Sequence, residues 1–261
     1  LTHTDKPIFF AHANGFPGGS YTPLFEALKP YEVSFIDSIS ENVFEVKPRL
    51  RPLVARLEAS IVERFSEPVI GVGHSLGGIL MFFVAKKKPE LFRHLILLDP
   101  PFFRPAKAYL VSHIRKLGLG NVVPVAAKAA KRRNIFSSQE EAATYFAEKS
   151  LFRYAYPDTI THYVAHGLVR EGDLWRLRIP PEFERAVYLN LPYRLEYPKL
   201  QVPSTFLYGQ HHDVLSKKDI RWLKRYFSKT TFIEIPGSHM FPLEKPGLVA
   251  ENIKGIIDSR I

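Results

Sequence analysis

The 261 residues include no cysteine, which excludes disulfides, thiolate zinc centres and a cysteine nucleophile. No apolar run approaches the roughly 20 residues that span a bilayer. The opening stretch, LTHTDKPIFF, lacks both a start methionine and the basic-then-apolar layout of a secretory leader. A cytoplasmic location is the default expectation. Acidic residues are the scarcer charged class, 26 Asp and Glu against 36 Lys and Arg, for a formal net charge of +10. Such a surplus raises nucleic acid as a partner, but no RNA- or DNA-binding motif accompanies it, and nucleic acid is set aside. The surplus is concentrated between Phe102 and Leu195, where 15 Lys and Arg face 8 Asp and Glu. Its densest run is KAAKRRN, Lys128 to Asn134. The ordinary reading of such a run is a solvated helix face. The sharper reading is attraction of an anionic substrate, an acidic partner or, less favoured, a lipid surface.

Against these absences stands an alternation of short apolar runs with helical patterns. The runs at 7–12, 32–37, 69–73, 94–99, 204–209 and 231–235 are nearly continuous in apolar, β-branched or aromatic residues. Parallel strands covered on both faces read this way. Between them, Leu50, Leu53, Val54, Leu57, Ile61 and Phe65 repeat at helical spacing. Further helices are expected at 75–87, 217–227 and 247–257. Strands alternating with helices imply an α/β fold. The alternation breaks after Asp99, and about ninety residues of mainly helical pattern follow. They include EGDLWRLRIP, in which Gly172-Asp173 reads as a turn between alternating residues. The expected organisation is a core of 1–101 and 196–261 with a lid, 102–195, inserted before the last two strands.

The stretch GVGHSLGG, Gly71 to Gly78, joins a strand to a helix. A serine on that tight turn is exposed to attack a substrate, with small neighbours relieving the strained backbone. Ser75 is therefore the candidate nucleophile. A serine needs a base, and the base an orienting carboxylate. His239 follows the last strand, at the same carboxyl edge of the sheet. Asp213 in LYGQHHDVLS follows the strand before it and is the expected acid. Asp99 in LLDPP is a second strand-end aspartate, read as capping the start of the lid. The backbone N–H groups of Phe16 and Leu76 are the expected oxyanion donors.

These features together resemble the α/β-hydrolase superfamily, in the branch whose lid lies between core strands six and seven. NGFPGGSY is similar to its oxyanion turn, with Asn14 where histidine is common. GHSLGG, GQHHDVLS and GSHMFPLEKP are similar to its nucleophile, acid and histidine segments. The resemblance covers 1–101 and 196–261 and does not reach the lid. It implies a mostly or wholly parallel six-stranded sheet, because the family's two earlier strands have no counterpart here. It also implies that some relatives would use Asp99 as the acid. Epoxide hydrolases and haloalkane dehalogenases of this branch carry aspartate at the elbow, and Ser75 argues against both chemistries.

The function expected is cleavage of a small or medium ester or thioester, anionic or aromatic, through an acyl-enzyme on Ser75 and with no cofactor or metal. The same triad would serve a carbon–carbon bond or amide hydrolase, with Arg170, Arg176 or Arg178 anchoring a ketone-like substrate. A ligand-binding homologue is the non-enzyme alternative. Substrate contacts are expected from Asn14, His74, Tyr145, Trp175 and Arg176. His162 and His166, four apart on one helix face, read as packing or pocket-lining residues rather than metal ligands.

Overall fold

The six apolar runs become the six strands of one sheet in the computed structural model, which describes residues 6–41, 46, 50–117, 123–192 and 200–260. The first half of the chain gives β1 (Ile8–Ala11), α1 (Thr22–Ala27), β2 (Val33–Phe35), α2 (Arg51–Arg64), β3 (Val69–His74), α3 (Leu76–Lys87) and β4 (Phe92–Leu98). An insertion follows, with α4 (Pro105–Lys116), α5 (Pro124–Ala130), β5 (Ile135–Phe136), α6 (Gln139–Ala147), α7 (Thr159–Gly167), β6 (Leu168–Glu171), β7 (Leu174–Leu177) and α8 (Pro181–Asn190). The chain then completes its core with β8 (Ser204–Gly209), α9 (Lys217–Tyr226), β9 (Thr231–Ile235), α10 (Phe241–Glu244) and α11 (Pro246–Arg260).

The strand order is β2-β1-β3-β4-β8-β9, with every neighbouring pair parallel. Period-two side-chain alternation divides the core between the two faces of this sheet. Phe9, Ala11, Leu95 and Leu97 join a cluster with Leu53, Leu57 and Ile79 from α2 and α3. Ile8, Phe10, Ile96 and Leu98 join another with Leu24 of α1 and Ile253 and Ile257 of α11. Both faces are covered, so the strands read as apolar runs without alternation. The expected wholly parallel six-stranded sheet is observed.

The insertion is not helical throughout. β5, β7 and β6 form a second, antiparallel sheet. Its β6–β7 hairpin turns at Gly172-Asp173, where Gly172 takes φ +63° and Glu171 faces Leu174. The insertion's aromatic residues Phe136, Phe146, Phe152 and Tyr163 belong to the same hydrophobic cluster as Phe16 and strands β1, β3 and β4. The expected boundary at 195/196 lies outside the described residues. Among the described residues, no helix is long and apolar enough to cross a membrane.

Candidate active site

β3 ends at His74, and the chain reverses into α3 through Ser75 at φ 52°, ψ −113°, a region that L-residues rarely adopt. The turn closes only because its neighbours lack side chains. A Cβ on Gly73 would sit 2.6 Å from the Gly77 carbonyl carbon, and one on Gly77 would run into the Ala11 carbonyl. The Ser75 N–H donates to Leu98 O at 2.9 Å, tying the elbow to the end of β4.

His239, in the loop after β9, reaches back to this serine. Its Nε2 lies 2.9 Å from Ser75 Oγ, and its Nδ1 lies 2.7 Å from Asp99 Oδ2. A carboxylate only accepts, so Nδ1 carries the hydrogen and Nε2 is left to receive the serine proton. The carboxylate is enclosed: the Asp99 side chain is 3% exposed and that of His239 14%. Asp99 itself sits at φ 47°, with its N–H on Leu207 O at 2.7 Å.

The ring therefore faces Asp99 and not Asp213, the expected acid. Asp213 Oδ1 accepts the backbone N–H of His239 at 2.9 Å, not the ring. Both aspartates follow strands at the same edge of the sheet. β4 is the immediate neighbour of β3, whereas β8 lies one strand farther out. The residue after β4 therefore emerges beside the elbow, and the loop after β8 reaches the histidine's main chain.

His74 is also placed differently from expectation. It is fully buried and belongs to a relay rather than to a substrate wall. Its Nε2 donates to the His239 carbonyl at 2.9 Å, leaving Nδ1 to accept from Tyr21 Oη at 2.7 Å. Tyr21 Oη in turn accepts the Ala13 N–H at 3.3 Å. Burial pushes the His74 pKa well below its ordinary value and fixes the ring as neutral. The histidine loop, the elbow and the turn after β1 are thus tied by three hydrogen bonds. Tyr21→Phe would leave the Nδ1 and the Ala13 N–H unpartnered in a dry interior, at a cost of about 1–3 kcal/mol each. Its thermal midpoint is expected to fall by several degrees. An unchanged melting curve would show that the relay contributes nothing.

The turn after β1 departs from expectation in one respect. Gly15 takes φ +76°, and the Phe16 N–H donates to Ala13 O at 3.1 Å. The expected oxyanion donor therefore closes its own turn. His12 supports this turn from beneath, with Nδ1 donating to Ala13 O at 2.7 Å and Nε2 accepting the Ile39 N–H at 2.9 Å. Burial lowers its pKa to about 4. Leu76 is the first residue of α3, where backbone N–H groups have no intrahelical acceptor.

The insertion sits directly on the turn. Asn14 Nδ2 donates to the Glu184 carbonyl at 2.9 Å, and Tyr163 Oη donates to Gly15 O at 3.2 Å. The Arg132 guanidinium pairs with Glu184 at 2.6 Å and also bonds Tyr163 Oη. A Cβ on Gly15 would lie 2.7 Å from that guanidinium. Arg132 and Glu184 were not anticipated as neighbours of the site. The only sequence signal was the presence of Arg132 in the basic run.

Tyr145, Trp175 and Arg176 are not brought to Ser75 by any described contact. Tyr145 packs on Phe136 and Phe146, Trp175 lies against the hydrophobic cluster shared by the insertion and the sheet, and Arg176 pairs with Glu171 at 2.5 Å. Arg170 bonds the Gly172 carbonyl, and Arg178 faces Glu41 and Asp37. His166 lies 3.7 Å from Asp37.

The model of the Alpha/beta hydrolase family matches residues 8–252. Three solved structures share the fold. An E-2-(acetamidomethylene)succinate hydrolase is 17% identical with a TM-score of 0.75, over 97% of this chain and 91% of that one. A thioesterase domain from the curacin biosynthetic pathway is 17% identical with a TM-score of 0.74, over 96% and 92%. A thermophilic esterase from Thermogutta terrifontis is 20% identical with a TM-score of 0.64, over 98% and 90%. No curated protein sequence matches the chain.

Proposed function

The chain belongs to the Alpha/beta hydrolase family, and from that membership we propose a serine hydrolase that cleaves a small or medium ester or thioester. One observation carries the reading: a single imidazole bridges Ser75 Oγ and the enclosed Asp99 carboxylate. Esterase and thioesterase neighbours of the same fold support the substrate class by analogy only. His239 takes the serine proton as Oγ attacks the carbonyl carbon. Asp99 holds the Nδ1–H tautomer and stabilises the imidazolium that forms. The protonated ring then gives its proton to the departing alkoxide or thiolate. Water, deprotonated by the same ring, releases the acid from the acyl-serine. The negative oxygen of each tetrahedral intermediate is held by the Leu76 N–H and by the Phe16 N–H, which it shares with Ala13 O. Each such donor is worth about 10²–10³ in kcat. Residues 102–195 form the lid that roofs the acyl group.

A fluorophosphonate probe tests the nucleophile. The expected outcome is a stoichiometric adduct on Ser75, located by peptide mass spectrometry and absent from Ser75→Ala. Failure of the folded protein to react, beside a reactive control esterase, would leave the ligand-binding reading in its place.

A further inference from the structure

A basic groove lies between the start of α4 and the outer face of α9. Its cavity of about 720 Å³ is lined by Arg104, Lys218, Arg221, Trp222, Lys224 and Arg225, with Pro105 and Ala106. That volume lies in the range of small-molecule sites, of order 300–1,000 Å³. Lys218, Arg221, Lys224 and Arg225 are exposed. Among the described residues, no carboxylate pairs with Lys218, Arg221 or Arg225. The carboxylate beneath the groove, Asp219, is fully buried and committed. It caps α9 through Ser216, accepts the Arg104 N–H at 3.3 Å and lies 3.8 Å from the Arg104 guanidinium and 3.7 Å from Lys107.

Of the basic residues of α9 in the groove, Lys224 reaches Tyr208 Oη at 3.3 Å. α9 is anchored by Asp219, Ile220 and Leu223. Residues 218, 221 and 225 then stack like charges three and four apart, which opposes helix formation. Half-buried Trp222, stacked on Tyr226 with ring centroids 5.0 Å apart, adds a flat aromatic surface among the cations. Phosphates together with a planar or apolar group fit such a lining, whereas a simple carboxylate would leave most of it unused.

The groove is also close to the chemistry. Arg104 is five residues beyond Asp99, and Lys218 is five beyond Asp213. Five residues extend at most about 18 Å, so both walls start within that reach of the two aspartates on His239. We infer that the α4–α9 groove binds the phosphates of the leaving group, and that the substrate is an acyl thioester of a phosphate-bearing, nucleotide-like thiol such as coenzyme A. This assignment rests on the hydrolase reading and narrows it. The acyl group faces Ser75 and the anionic carrier lies outside, so the thiol departs on the side of the positive charge.

The test compares hexanoyl-coenzyme A with hexanoyl-N-acetylcysteamine, the same thioester without phosphates. It uses the wild type, Arg221→Glu/Arg225→Glu and the milder Arg221→Gln/Arg225→Gln. The wild type is expected to favour the coenzyme A ester in kcat/KM by about tenfold or more at low salt, and to lose that preference at high salt. Both variants are expected to lose it while hydrolysing p-nitrophenyl hexanoate at the wild-type rate. Calorimetric titration with coenzyme A alone reads the same site without catalysis, and is expected to show binding that the variants abolish. Equal turnover of the two thioesters by the wild type, or coenzyme A binding untouched in the variants, overturns the assignment. Failure of the hydrolase reading shows separately, as no turnover of p-nitrophenyl hexanoate.

Discussion

Asp99→Asn is expected to lower kcat for p-nitrophenyl ester hydrolysis by about 10⁴-fold, while Asp213→Asn stays within a few-fold of wild type. The first substitution keeps the shape of the carboxylate but allows an amide N–H to face Nδ1, which favours the tautomer that cannot accept the serine proton. A factor of that size is about 5 kcal/mol of transition-state stabilisation, far more than one lost neutral hydrogen bond. The second substitution retains an oxygen that can accept the His239 N–H, 2.9 Å away in the native chain. Asp213→Ala removes that acceptor and is expected to have an intermediate effect. Steady-state kinetics on the three variants decides the matter. A collapse in Asp213→Asn with Asp99→Asn active would reverse the assignment.

Gly77→Ala is expected to destabilise the protein by about 3 kcal/mol or more, the upper range for overpacking a rigid site. The added methyl group meets the Ala11 carbonyl, which is backbone and not a yielding side chain. Ala11 is the last residue of β1, paired with Gly73 across the sheet, so relief would require the central strands to part. For a chain of this size the melting temperature should fall by about 6–12 °C, with loss of activity in the surviving folded fraction. Gly255→Ala in α11 is the control. A methyl group there would meet nothing within 4 Å, so that variant should melt at or slightly above the wild-type temperature.

The strands, the elbow and His239 were legible because each is written locally. A buried parallel strand shows as an apolar run, and a strained turn between strand and helix shows as glycines around a serine. The acid was not legible in the same way. Asp99 and Asp213 both follow strands at the same edge, and the letters around them do not encode which strand lies beside β3. Only the long-range contacts of His239, ring to Asp99 and backbone N–H to Asp213, tell them apart. That the Phe16 N–H also bonds the Ala13 carbonyl was not legible, because the letters of a Gly-Phe-Pro-Gly turn do not show which of its groups bond one another. The insertion was the least legible part. Arg132 and Glu184 are 52 residues apart and meet only when α5 and α8 pack. Tyr145 was an aromatic residue whose ring partners proved to be Phe136 and Phe146 of the insertion.

The contacts of the insertion are unevenly shared between the turn after β1 and the cluster of Ser75, His239 and Asp99. Asn14 and Gly15 are hydrogen-bonded to α8 and α7. By contrast, no described hydrogen bond or ion pair joins α5 to α8 with Ser75, His239 or Asp99. A displacement of the insertion would thus reach the turn after β1 directly, and the His239 carbonyl through Tyr21 and His74. On the proposed hydrolase reading, substitutions in α5, α7 and α8 act first on the turn after β1, and on the proton-carrying groups only through that relay.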